Sequence, residues 1–161
     1  MAIEIVPVRR EHLPQLERKI LDYNQAHADK PLAVDTHLKA ARKSLRDESN
    51  LFLVAIEKGS SEIAGYAYAE TLYRTPHIAL SHWTVSLRPS LPGRKGSGIG
   101  TALLKEKLLT LTRRGVSTIH GEARSEAGKT ILNKASAELG LKLEQDDPKN
   151  KEKFVLRVNG K

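Results

Sequence analysis

Apolar residues recur along this chain with two different spacings, and segments of one kind alternate with segments of the other. Ile3–Val8 is a short apolar run that reads as a strand. From about Arg10 to Ala28, Leu13, Leu16, Ile20 and Tyr23 return at three- and four-residue steps, which predicts a helix. Pro14 falls in its first turn, where a missing N–H costs little. Leu38, Ala41 and Leu45 repeat the helical spacing more sparsely, over a second helix capped by Asp35 or Thr36 and running to about Arg46. Leu51–Glu57 and Ile63–Glu70, joined by the polar Gly-containing segment Lys58–Glu62, read as a hairpin, and His77–Leu87 as a third, longer strand. A Pro- and Gly-rich loop, Arg88–Gly98, leads into the strongest amphipathic helix, from Ile99 to about Arg114. Ile99, Leu103, Leu104, Leu108 and Leu111 share one face of it, and Gly115 closes it. Val116–Ala123 is a strand, and Glu126–Leu139 a helix ended by Gly140. Leu141–Glu144 and Phe154–Val158 are strands around the polar turn Gln145–Lys153.

The predicted order is β-α-α-β-β-β-α-β-α-β-β. The fold class is therefore α+β or mixed α/β, with a central sheet and helices on its faces. No repeat, low-complexity tract or Pro/Gly/Ser-rich linker divides the chain, so residues 1–161 read as a single domain. At 161 residues with 39% hydrophobic content there is enough apolar material for one real core, which excludes disorder. The absence of cysteine excludes disulfides, thiolate metal sites and a cysteine nucleophile. No apolar run approaches the ~18–20 residues of a membrane span. The first residues lack the apolar stretch of a secretory signal, so a cytoplasmic protein with no membrane partner is expected.

Charge changes this picture locally. The formal net charge is +8, but residues 1–70 hold 10 basic and 11 acidic residues. Residues 71–105 hold Arg74, Arg88, Arg94, Lys95 and Lys105 and no acid. An acid-free stretch suits an anionic ligand better than a general coat of charge does. It contains the glycine loop, where Gly96, Gly98 and Gly100 permit close backbone approach at the head of the best helix. Exposed N–H groups there, at the positive end of the helix dipole, make an anion site suited to phosphate, and Arg94 and Lys95 add charge beside it. The loop is not a P-loop, because Gly93 and Gly98 are followed by Ile99 and Gly100 rather than Lys and Ser/Thr. Nor is it a dinucleotide fingerprint, whose third glycine would fall one place later.

The run Lys95-Gly96-Ser97-Gly98-Ile99-Gly100, after a long strand ending Val85-Ser86-Leu87-Arg88-Pro89 and before an amphipathic helix, resembles the coenzyme A motif of the GNAT superfamily of N-acetyltransferases. The hairpin strand Gly65–Glu70 and the helix ending Glu138-Leu139-Gly140-Leu141 are similar to that family as well. The resemblance implies a GNAT-like twisted mixed sheet with helices on both faces, acetyl-CoA as cofactor and an amine as acceptor. It implies that the backbone near Val85 and Leu87 pairs with the pantetheine arm. It further implies that Arg94, Lys95, Gly96, Ser97, Gly98, Ile99, Gly100 and Thr101 hold the pyrophosphate. Lys95 stands where Arg or Gln is usual, and a lysine serves a phosphate without the planar fork. The positions usually held by Tyr and Asn read Ser136 and Lys129, so the general acid is unassigned.

Direct transfer needs a base for the ammonium proton and no covalent acyl-enzyme, which agrees with the missing cysteine. The family's base position falls on Ser81, with His82 one residue away on the opposite face unless a bulge restores the register. His82, Ser81 and Glu122 are the candidate catalytic residues, with Glu70 a weaker one. The six histidines show no HxH or HExxH spacing, so no metal is expected. Tyr66, Tyr68, Tyr73 and Trp83 either line an acceptor pocket or pack the core. Three functions stay open. They are an acetyl-CoA-dependent N-acetyltransferase acting on a primary amine of a small molecule or protein, a GNAT-like CoA-binding regulatory module, and a basic protein associated with nucleic acid or the ribosome. A homodimer is compatible with each.

Overall fold

In the computed structural model, residues 2–88, 98–123 and 125–158 are described. Strand β1 (Ile3–Pro7) is followed by a 3-10 turn (Arg10–His12) and helices α1 (Leu13–Ala26) and α2 (Val34–Ser44). Three strands come next, β2 (Asn50–Glu57), β3 (Ile63–Leu72) and β4 (Thr75–Ser86). Then come α3 (Ile99–Arg113), β5 (Thr118–Glu122), α4 (Glu126–Leu139), β6 (Leu141–Asp147) and β7 (Asn150–Val158). The element order is the one the hydrophobic pattern predicts.

Two boundaries differ for physical reasons. Helix α2 starts two or three residues earlier than a cap at Asp35 or Thr36 would place it. Its N-cap is Ala33, in extended conformation and with no side-chain cap bond, and Asp35 lies in the first turn, where its charge suits the helix dipole. The segment Gln145–Lys153 is mostly strand, with β6 and β7 paired as far as Asp147↔Asn150. Ladder hydrogen bonds come from the backbone, so exposed polar side chains such as Lys151–Lys153 do not interrupt them.

The seven strands form one mixed sheet in the order β1-β2-β3-β4-β5-β7-β6. Every neighbouring pair is antiparallel except β4 and β5. Alternation along the strands divides two cores. Leu51, Leu53, Ala67, Ala69 and Ala79 pack with Leu103, Leu108 and Leu132 of α3 and α4. Phe52, Val54, Tyr66, Tyr68 and Val85 pack with Leu16, Ile20 and Leu38 of α1 and α2 on the opposite face. Each fully buried Leu, Ile or Phe among them contributes ~1.5–3 kcal/mol. Helix α3 approaches β3 closely because Gly65 has no side chain. A Cβ there would lie 2.6 Å from the Val85 carbonyl oxygen and 2.9 Å from Leu103.

Strand β4 is irregular in two places. Ala67 pairs with Thr84 and Ala69 with Ser81, so Tyr68 alone opposes His82 and Trp83, a bulge of two residues against one. The parallel pairing with β5 covers only Ile78–Leu80 against Thr118–His120. Beyond Leu80 the two strands part and leave that edge of β4 without a strand partner among the described residues.

Candidate active site

The bulge leaves His82 on the face opposite Ser81 and brings Trp83 to that same face. Ser81 follows Ala79 by two residues and shares the α3 face, since Ala79 belongs to that core. In a regular strand His82 would then face α1 and α2 while Trp83 faced α3. With the extra residue, both face α1 and α2. The His82 ring stacks on Tyr68 with centroids 5.3 Å apart, and the Trp83 ring lies 5.3 Å from the buried His37 of α2. Nε2 of His82 lies 3.0 Å from Oε1 of Glu70, on the neighbouring strand. A carboxylate only accepts, so the neutral imidazole carries its proton on Nε2 and leaves Nδ1 as a proton acceptor. Both side chains are partly open to solvent, at 37% and 40%. They line a cleft of about 320 Å³ between α2 and strands β2–β4, together with Tyr68, Lys39, Lys43 and Asn50.

Beneath this group, on the α3 side, Lys107 is fully buried. Its Nζ donates to Oγ1 of Thr84 at 2.9 Å and to the carbonyl oxygen of His82 at 3.3 Å. Burial lowers its pKa to about 7. A helix thus grips the bulge through one amino group. The sequence carries a signal for this residue. Lys107 lies four residues after Leu103 and four before Leu111, in the middle of the apolar stripe. His37 sits likewise among the buried positions of α2, hydrogen-bonded to the Tyr66 hydroxyl. Burial lowers the pKa of His37 to about 4 and raises that of Tyr66. Tyr68, half in the cleft, is pushed up to about 12, chiefly by burial, and stays protonated.

At the other end of β4, Gly98 caps α3 with φ +79°, and no side chain among the described residues caps the helix. The first bond of the turn runs from the Ala102 N–H to the Gly98 carbonyl. The amides of Ile99, Gly100 and Thr101 therefore point from the helix start with no side-chain acceptor among the described residues. No acid lies in that turn, and a Cβ on Gly98 would meet no described residue within 4 Å. An anion fits there. Ile99 packs beside Gly65, the partner of Ser86, which places the helix start at the far end of β4. From His82 to Ser86 the strand spans about 13 Å.

Of the residues expected to hold the cofactor, Gly98, Ile99, Gly100 and Thr101 form the α3 start, whereas Arg94, Lys95, Gly96 and Ser97 lie outside the described residues. Val85 is buried against α1 and α2. The Leu87 N–H is committed to the Ala64 carbonyl at 2.9 Å. By antiparallel alternation the backbone groups of Val85 and Leu87 point to β3, and those of Thr84 and Ser86 face the open edge. The edge expected at Val85 and Leu87 is thereby shifted by one residue. Glu122 is at the exposed end of β5, past the last β4–β5 pair, and does not line the cleft of His82. Ser136 is buried, and its hydroxyl donates to the Leu132 carbonyl within its own helix at 2.6 Å. Of the aromatic group, Tyr66 is core, Tyr68 lines the cleft, and Tyr73 is 93% exposed and joins neither.

No protein-family model and no curated protein sequence matches the chain. Solved structures do match it over nearly its full length. It is similar to a PaiA N-acetyltransferase from Thermoplasma acidophilum in complex with coenzyme A, with TM-score 0.65 and 18% identity, covering 98% of this chain and 99% of that one. It is similar to a GNAT family acetyltransferase from Brucella melitensis in complex with acetyl-CoA, with TM-score 0.62 and 16% identity, covering 99% and 90%. It is also similar to the ribosomal-protein-S18-alanine N-acetyltransferase from Escherichia coli, with TM-score 0.59 and 19% identity, covering 98% and 93%. The chain has the GNAT acetyltransferase fold. No helix among the described residues is long and apolar enough to cross a membrane.

Proposed function

We propose that this protein is an acetyl-CoA-dependent N-acetyltransferase that moves an acetyl group directly to a primary amine of a small molecule or protein. The observation that carries the reading is the layout of β4. A histidine oriented by a carboxylate stands at its bulge, an edge free of β5 follows, and a helix start with no side-chain cap among the described residues lies at its far end. Two structures of the same fold that hold coenzyme A or acetyl-CoA lend support.

Bound acetyl-CoA supplies the activated acetyl thioester. The amides of Gly98, Ile99, Gly100 and Thr101 hold its pyrophosphate, aided by Arg94, Lys95, Gly96 and Ser97. Backbone groups of Thr84 and Ser86 pair with the extended arm as an added strand would. His82 takes the proton of the acceptor ammonium on Nδ1, and Glu70 holds the ring for it. Direct attack needs no acyl-enzyme, and the chain has no cysteine to form one. One observation favours a second reading, a CoA-binding module with weak catalysis. Ser136, at the position where the family usually has a tyrosine acid, is turned into the core of α4.

Thiol release from acetyl-CoA, measured across a panel of primary amines, separates the two. Amine-dependent release that falls in a His82→Gln variant supports the transferase. Tight acetyl-CoA binding with no amine-dependent release supports the module.

A further inference from the structure

Two lysines of the cleft have no task in the acetyl transfer itself. Lys39 and Lys43 stand one turn apart on α2, both exposed, and line the same cleft as His82 and Glu70. Their i, i+4 spacing places their Cβ atoms about 5–6 Å apart, where like charges disfavour the helix. Elsewhere, Lys19, Lys105, Lys129 and Lys142 each lie within salt-bridge distance of a carboxylate. Lys39 and Lys43 have no such partner among the described residues. Among the described residues, Glu70 is the only carboxylate lining the cleft, and it is engaged by His82. An acidic group arriving from outside would relieve the repulsion and meet two ammonium groups.

We propose that this cleft takes a zwitterionic amine, with its amino group beside His82 and Glu70 and its carboxylate or phosphate between Lys39 and Lys43. The placement of the amino group rests on the transferase reading. The anion site of the lysine pair does not. The size of the cleft, about 320 Å³, is at the small end of ligand pockets and suits a small molecule or the end of a chain. Lys39 and Lys43 would then determine which amines are accepted without touching the reacting atoms.

The test compares matched acceptors that differ in the anion. γ-Aminobutyrate is set against butylamine, and phosphoethanolamine against ethylamine. Acetyl transfer and calorimetric binding are both measured, on the wild type, K39Q/K43Q and K39R/K43R. The expected result is a preference of about tenfold or more in kcat/KM for the anionic member of a pair, since a charge-assisted contact is worth at least that factor. The preference narrows at high salt. It collapses in K39Q/K43Q and returns in K39R/K43R. Which pair shows the larger ratio distinguishes carboxylate from phosphate. Equal kcat/KM within both pairs, or a preference that survives K39Q/K43Q, overturns the proposal. If no acceptor is turned over, the binding arm decides. Tighter binding of the anionic amines that is lost in K39Q/K43Q upholds the cleft and overturns the transferase reading. Binding of neither member, or equal binding of both, overturns the cleft.

Discussion

The Nζ of Lys107 lies 3.3 Å from the carbonyl oxygen of His82, so a buried amino group on one face of the sheet holds the backbone of a residue whose imidazole stands on the other. Burial sets the pKa of this lysine near 7, against about 10.4 in an unfolded chain. Between those values the unfolded chain holds a proton that the folded one lacks, so stability rises with pH from about 7 to about 10. The cost of burying the charge is fully present below that window. In urea titrations the wild type gains a few kcal/mol relative to Lys107→Met across the window. A difference that stays flat with pH contradicts the burial of this amine.

The pair of His82 and Glu70 predicts an ordered set of rate losses. His82→Gln removes the proton acceptor and lowers kcat by about 10²–10⁴. Glu70→Gln leaves the ring in place but loosens its orientation, and costs about 10–100-fold. The two residues act as a unit, so the double variant is little slower than His82→Gln alone. Steady-state kinetics with a saturating amine checks this. Fully multiplicative losses would show that the residues act separately.

Gly98 predicts a loss of cofactor affinity that does not come from a clash. Its φ of +79° makes any L-residue there cost about 1 kcal/mol or more of stability. A Cβ there meets no described residue within 4 Å, so Gly98→Ala remains folded and binds coenzyme A somewhat less tightly. Gly98→Glu places a carboxylate where the phosphate would sit and weakens binding by about tenfold or more beyond Gly98→Ala. Calorimetric titration of the three proteins with coenzyme A measures the difference. Equal affinity for the Glu and Ala variants would move the phosphate site elsewhere.

His37 predicts the acid limb of stability. Burial holds its pKa near 4, below the ordinary 6.5, so the folded state keeps the ring neutral. Its contribution is complete above about 6.5 and is lost as pH falls toward 4, because the unfolded chain takes up the proton first. The wild type should lose roughly 1–2 kcal/mol over that range relative to His37→Gln. Thermal melts from pH 7 to 4 show whether the two curves converge as the pH drops.

Much of the fold was legible because it comes from periodicity. The three-four spacing of Leu13, Leu16 and Ile20 and the stripe from Leu103 to Leu111 give α1 and α3, and the alternation of Tyr66 and Tyr68 gives a face of β3. That Trp83 stands on the same side as His82 was not legible. It depends on how Ala67 and Ala69 pair with β4, and a bulge is a property of two strands that neither one encodes alone. The same limit hid the role of Leu87, since only the bond to Ala64 tells which edge its N–H serves. Lys107 differs, because its place in the apolar stripe is visible in the sequence, and a charged residue is buried there only with polar partners. The cleft beside Lys39 and Lys43 joins α2 to β2, β3 and β4, and only the folded chain brings those segments together.

The most direct test of the central claim is transfer of an isotope-labelled acetyl group from acetyl-CoA to a primary amine, followed by mass spectrometry. Labelled N-acetyl product, formed by the wild type with stoichiometric free coenzyme A and lost in His82→Gln, is the predicted result. Binding of acetyl-CoA without any labelled amide, across amines with and without an anionic group, would contradict the claim.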